Sequence, residues 1–455
     1  MTLPLHLRRL SEFLAQTRLA DLPADIVTQA VTVVADCLAV IAAGAQEPEM
    51  RNLRALEGRR SGQRTSTVIG TRGLVDPRGA SLLNGTAGTF LELDEGNRFC
   101  RGHPAIHVVP AAFAVAEAER RSGADFLLAV ILGYEVAARI GAACRMRDDM
   151  HPHGTWGTVG AAVGIGTLRG SSPQRLARLI SLSAGLNLAT SVRAMQEGGT
   201  VRNTYAGVAG VMALLADDLE RAGFSGERDA LATTYGRIVA DDFDADRLLD
   251  QLGSRYEIGR NYFKQHACCR YNHAALDALA LLRAENPDAR IEAGNITQIV
   301  VETYAAAASM NDREPQNPLA AKYSLPFAMA TAIVTGATGV KSFDAAAVAH
   351  QPTRTLAHRV HVAEDPGLSA MLPNARPARL RIVLKDGGTL QTEVTTNLGD
   401  ADSPYTTAEL TAKFDDLGRA VWGDRTSVLR AAVADLPHLP DCAQLGAVLR
   451  EHILA

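Results

Sequence analysis

The sequence predicts a mainly α protein in which a large all-helical domain, formed by both chain ends, carries an inserted smaller α+β domain. Three observations predict it. Alanine and leucine abound while aromatic residues make up only 5% of the chain, a balance that favours helices. Up to about Tyr256, apolar residues recur at helical spacing. Between 257 and 403, β-branched runs and a hairpin signal appear, and helical patterning returns after Ser403-Pro404. The chain of 455 residues exceeds the ~250–300 at which a single core stops growing, so one domain of 1–256 with 404–455 and a second of 257–403 are expected.

Residues 25–43 read as a helix that stops at Gly44, a natural C-cap. After the polar stretch GRRSGQRTS, residues 80–93 read as a helix that delivers Glu92, Asp94 and Glu95 near its C-terminal end. Carboxylates there face the negative end of the helix dipole, a locally unfavourable placement that points to function. Pro104 suits a first helical turn, so 105–121 follows as a helix and 125–143 as the next. On a helix, His103 and His107 lie one turn apart. The small residues around His151-Pro-His153-Gly-Thr-Trp156-Gly permit close approach of backbone to backbone or to ligand. Helices at 173–189 and 205–222 flank a polar loop, 197–203. Further on, 295–304, 358–362, 379–384 and 390–396 read as strands, the last two joined by the turn Lys385-Asp-Gly-Gly388. Helices are expected at 274–284, 318–335, 344–350, 407–414, 425–434 and 442–454.

Composition narrows the function classes. With 47% hydrophobic and 21% charged residues and a net charge of -4, there is no basic surplus for nucleic acid. The longest apolar run, 126–143, is interrupted by Glu135 and Arg139 and reads as too short and too charged for a bilayer. The N-terminus lacks the apolar region of a signal peptide, which makes the cytoplasm the default location. Six scattered cysteines without a CxxC pattern read as reduced thiols.

Candidate chemistry gathers in four places. The acids at 92–95 with His103 and His107 are the ingredients of proton transfer near neutral pH. Lys264, His266, Arg270 and His273 within ten residues suit an anionic substrate, Arg holding a carboxylate bidentately and Lys serving as a point charge or a desolvated base. Arg193, Glu197, Arg202 and Tyr205 form a third group. Ser324, just ahead of a helix, is placed to hold a carboxylate through backbone N–H groups. The i,i+4 histidine pair allows a metal site, but HExxH is absent.

In order along the chain, LNGTAGTFLELDEGN, GHPAIHVVPAAFAVAEA, HPHGTWGTVGAA, VRNTYAGVAGVMALLA, FKQHACCRYNHAALDA and AKYSLPFAMATAIVTG closely resemble the MmgE/PrpD family. That family includes 2-methylcitrate dehydratase, cis-aconitate decarboxylase and iminodisuccinate epimerase. The resemblance implies a helical body with an α+β lid, an active site in the cleft between them, a homodimer, and no metal or organic cofactor. Together with the residue groups above, it makes His151, Lys264, His103, Asp94 and Tyr205 the candidates for catalysis. Arg202, Glu92, Asn97, His153, Arg270, His273 and Ser324 are assigned to binding a small di- or tricarboxylate. Three residues depart from the family pattern: Arg202 replaces a lysine, Glu92 an aspartate and His153 a threonine. With that lysine absent, the expected activity is proton abstraction next to a carboxylate by an epimerase resembling iminodisuccinate epimerase, with His151 and Lys264 moving protons. A dehydratase, a decarboxylase and a non-catalytic carboxylate binder are the alternatives, with a metal-dependent hydrolase behind them.

Overall fold

Residues 3–451, 453 and 454 are described by the computed structural model. Up to residue 221 the chain forms α1 (Leu5–Gln16), α2 (Ala24–Gly44), α3 (Pro48–Arg60), α4 (Pro77–Phe90), α5 (Pro104–Ala118), α6 (Gly123–Ala143), α7 (Trp156–Leu168), α8 (Pro173–Ala184), α9 (Val192–Gln196) and α10 (Tyr205–Arg221). Helices α5, α6 and α7 are apolar almost all round and buried along most of their length, as helices enclosed by other helices must be. α7 packs against α5, α6 and α10, and α4 closes the group against α5 and α10. Small residues allow the closest approaches: a Cβ on Gly157 would overlap the imidazole of His107.

Helices α2 and α6 are each long and apolar enough to cross a membrane by length and composition. For α6 this departs from the sequence expectation, which took Glu135 and Arg139 as disqualifying. Here both are buried and paired, Nε to Oε1 at 2.6 Å. The guanidinium also donates to the carbonyls of Leu248, Asp250 and Arg255, at 3.1, 2.7 and 3.0 Å. Glu135 Oε2 accepts the N–H of Glu257 at 2.6 Å. One buried ion pair thus holds the segment that leads out of the helical region.

That segment runs into the short strand Asn261–Tyr262, which pairs antiparallel with Gly96–Asn97. Beyond it lies a four-stranded sheet in the order Thr389–Val394, Ala378–Leu384, Ile296–Thr303, Val360–Glu364. The first three strands are antiparallel, and Val360–Glu364 runs parallel to Ile296–Thr303 with Ile299 opposite Val360. The helix His273–Glu285 covers the hairpin strands. In the turn, Gly387 takes φ +88°, and the Gly388 N–H is accepted by Asp386 Oδ1 at 2.8 Å.

The chain then returns to the first helices. Thr407–Trp422 lies against α2, where Lys413 Nζ meets Asp36 Oδ1 at 2.5 Å. Cys442–Glu451 lies against α5, where Arg450 reaches buried Glu117 at 2.7 Å. The final expected helix, 442–454, ends at Glu451, and His452 lies outside the described residues. Other expectations shift as well. Helix 407–414 continues to Trp422, and 318–335 is broken into Pro318–Lys322 and Leu325–Thr335 because Ser324 caps the second piece. Short strands at Cys144–Met146 and Ala240–Phe243 interrupt the helical part. All six cysteines are free thiols.

Removing the α6 guanidinium leaves a buried carboxylate and several carbonyls without partners. Arg139→Ala should lower stability by about 3–5 kcal/mol in urea unfolding. A change within about 0.5 kcal/mol would remove this pair from its structural role.

Candidate active site

The acidic stretch follows α4 instead of ending it. The helix stops at Phe90, and Glu92 adopts φ +55°, turning the chain into a buried loop. Glu92, Asp94 and Glu95 are at most 1% exposed. Three buried carboxylates need three forms of compensation. Glu92 pairs with Arg202 and lies 3.8 Å from Lys264 Nζ. Asp94 Oδ1 lies 3.4 Å from the same Nζ, which also donates to the Glu92 carbonyl at 3.1 Å. Glu95 accepts the Ala105 N–H at 2.9 Å, at the start of α5, and the Tyr134 hydroxyl at 3.0 Å. Burial outweighs those bonds and pushes the Glu95 carboxyl up to about 8.

Four imidazoles lie beside this loop. The rings of His103, His107 and His151 are 4.9, 5.1 and 4.7 Å from that of His153. Burial is the main cause that holds all four well below the ordinary histidine value, His107 at about 4. Lys264 adds to the effect at His103 and Arg202 at His151 and His153. All four are therefore neutral near pH 7, and hydrogen bonding assigns their tautomers. His103 Nδ1 faces the Glu95 carbonyl at 2.6 Å, so it carries the proton and Nε2 keeps a free lone pair. Its 3.1 Å approach to Asp94 Oδ2 is close, but the proton is directed at the carbonyl. His151 is the reverse: Nδ1 accepts the His153 N–H at 3.1 Å, so Nε2 carries the proton. His107 donates to the His103 carbonyl at 2.8 Å and accepts the Gly154 N–H at 3.2 Å, tying the 151–155 loop to α5. Neither nitrogen of His153 has a protein partner.

Glu92 and Arg202, with three of the four imidazoles, border a cavity of about 340 Å³ between the helical region and the segments that follow residue 260. Of the expected site residues, Glu92, His103, His151, His153, Arg202 and Arg270 line it. The others are placed differently. Lys264 and Asp94 are fully buried behind the wall, holding each other and the loop. Tyr205 opens α10 with its ring 5.9 Å from His151 and does not line the cavity.

Three expected substrate-binding residues have their polar atoms committed elsewhere. Asn97 donates to the Glu257 carbonyl and accepts the N–H of Phe99 and Cys100, so it braces the loop. His273 accepts from Arg270 at 3.1 Å and donates to the Cys268 carbonyl at 3.2 Å. Ser324 donates to the Asp312 carbonyl and accepts the Phe327 N–H as a helix cap. Their residue types suit ligand binding, but each satisfies backbone that burial would otherwise leave unpaired.

Sequence reasoning missed Tyr262 and Arg376. Arg376 lines the cavity with Nη1 unpartnered, and Tyr262 lies under the guanidinium groups of Arg270 and Arg376, at 4.5 and 5.7 Å. Neither stands in a recognisable motif; the neighbouring prolines 373 and 377 were the only local sign of a fixed turn. Arg101 and Arg147 add cations along the same wall. Asp94, His103 and His153 offer ligand atoms within 4.8 Å of one another, the one such trio found among the described residues. A cation there would compete for the His103 lone pair, since Nδ1 is already engaged.

Glu95 provides a test of this electrostatic arrangement. Its folded value, about 8, lies above the ordinary 4.5. Its contribution to stability is therefore fully present below about 4.5 and is lost as pH rises through 8. Glu95→Gln should gain melting temperature relative to wild type as pH goes from about 5 to about 8. A difference that stays constant with pH would overturn this assignment.

The MmgE/PrpD N-terminal domain matches residues 8–244, and the MmgE/PrpD C-terminal domain matches 266–437. The chain is 24% identical over 472 residues to the cis-aconitate decarboxylase-like protein oryM of Aspergillus oryzae, covering 97% of this chain and 96% of that protein. It is 25% identical over 418 residues to the cis-aconitate decarboxylase of Homo sapiens, covering 85% and 82%. The cis-aconitate decarboxylase of Aspergillus terreus is 25% identical over 338 residues, 69% of each chain.

Proposed function

This chain belongs to the MmgE/PrpD family, and we propose that it is an acid–base lyase acting on a small di- or tricarboxylic acid without a cofactor. The observation that carries the proposal is a pair of neutral imidazoles of opposite protonation on one arginine-lined cavity. Relatives named as cis-aconitate decarboxylases, one matched over nearly its whole length, favour a lyase over the epimerase read from the sequence.

The chemistry follows from the two tautomers. Taking a proton from carbon next to a carboxylate builds negative charge on that carboxylate, which Arg202, Arg270 and Arg376 are placed to meet. His103 Nε2 takes the proton. In dehydration the His151 Nε2–H hydrogen-bonds the departing hydroxyl, which takes the proton that His103 has just gained. In decarboxylation no C–H proton is removed, and the electron pair left on carbon by carbon dioxide is protonated from solvent. Such assistance is worth ~10²–10⁴-fold. We therefore give the base to His103, and to Lys264 the task of holding Glu92 and Asp94. Residues 257–403 act as the lid, and the protein works as a homodimer. Epimerisation remains the second reading, because inversion at carbon also needs two groups of opposite protonation.

Incubation of candidate acids in deuterated water separates these readings. Loss of water or carbon dioxide is expected of the lyase; solvent deuterium in recovered substrate and its epimer, without loss, would favour the epimerase. Tight binding with no turnover would leave only a carboxylate binder. His103→Gln should lower kcat by at least ~10²-fold with the fold intact by circular dichroism; near wild-type turnover would remove it as the base. The base is active when neutral, so rate is lost only as pH falls through its lowered value. The acid limb of kcat/KM should lie well below 6.5, and a limb at or above 6.5 would contradict the assignment.

A further inference from the structure

We infer that the acid bound here carries an unbranched hydrocarbon arm, which the cavity receives on a wall of methionines; this rests on the carboxylate reading of the same site. The chain has nine methionines in 455 residues, and Met146, Met150, Met195 and Met310 all line this one cavity. They arrive from three stretches of chain, 146–150, 195 and 310, so no single helix face explains their meeting. Met146 ends the strand Cys144–Met146, Met195 lies on α9, and Met310 follows the helix Ala305–Ala308.

The arrangement is fixed by backbone. Met150 forms a bridge with Ser191, and the Val192 N–H donates to the Asp149 carbonyl at 3.0 Å, placing Met150 beside the start of α9. The Leu325 N–H donates to the Met310 carbonyl at 2.8 Å, anchoring the opposite side. Met195 and Met310 are buried, while Met146 and Met150 are half-buried.

A polycarboxylate with no apolar part would use Arg202, Arg270 and Arg376 and leave this wall wet. Thioether chains are flexible and polarizable, and they fit irregular apolar shapes better than branched residues do. They therefore suit an arm whose length varies more than a fixed small group. The volume of about 340 Å³ lies within the ~300–1,000 Å³ of pockets that enclose a whole small ligand.

The test is calorimetry of the intact protein with tricarboxylic acids bearing hydrogen, methyl, butyl or hexyl at one carbon. Burial of each methylene should tighten Kd about three- to fourfold until the wall is filled. Met195→Gln and Met310→Gln should each reduce that gain to under twofold per methylene. A Kd that is flat or weakens with length in the wild-type protein overturns the inference, whatever the variants do. Turnover, followed separately with the unsubstituted acid, keeps the two readings apart. Turnover with no chain-length gain sinks the arm alone, and chain-length gain with no turnover of any acid sinks the lyase alone. Failure of every acid to bind overturns both.

Discussion

The structure depends on the burial of three carboxylates within four residues. Glu92, Asp94 and Glu95 lie almost wholly out of water, an arrangement no local segment can compensate. Each is satisfied in a different way. Glu92 takes the guanidinium of Arg202, in the turn just before α10, and shares a lysine with Asp94, while Glu95 is held as a neutral acid against a helix N-terminus. The compensating cations come from more than 100 residues away in sequence, so the loop is stable only in the finished fold.

Other features serve to bring those cations in. Lys264 reaches the loop because Asn261–Tyr262 pairs with Gly96–Asn97, and because Glu135 and Arg139 clamp the segment before it. Arg202 is fixed by the Thr89 carbonyl at the end of α4 as well as by Glu92. Burial first, and then the same cations, lower the basicity of the imidazoles, so the groups that stabilise the loop also act on the protonation of the site. Stability and chemistry here share the same residues.

Helical periodicity made most of the helical region legible, since apolar faces must be buried wherever they fall. The hairpin was legible from its turn residues. Local pattern failed at the acidic loop, where a helix was read through to residue 93 because nothing in the sequence marks the left-handed turn at Glu92. It failed also for Asn97, His273 and Ser324, whose residue types serve backbone satisfaction as readily as ligand binding. The departures from the family pattern prove informative in pairs. Glu92 and Arg202 are partners in one ion pair, a longer acid meeting a longer base. His153 stands among the other three imidazoles. What sequence reading lacked was the third dimension: Tyr262 and Arg376 enter the cavity from separate segments with no shared motif.

The return of the C-terminal helices has a consequence for how the protein is made. Lys413, which braces the acidic loop through the Leu93 carbonyl at 2.9 Å, is synthesised 320 residues after it. At ~5–20 residues per second, the loop waits on the order of tens of seconds for its last support. Over the same interval Glu117, buried within α5, has no Arg450 to pair with, and the faces of α2 and α5 that the late helices cover stand open to water. Until the late helices arrive, those apolar faces lack their native cover, and that is the interval in which the chain is most open to non-native association.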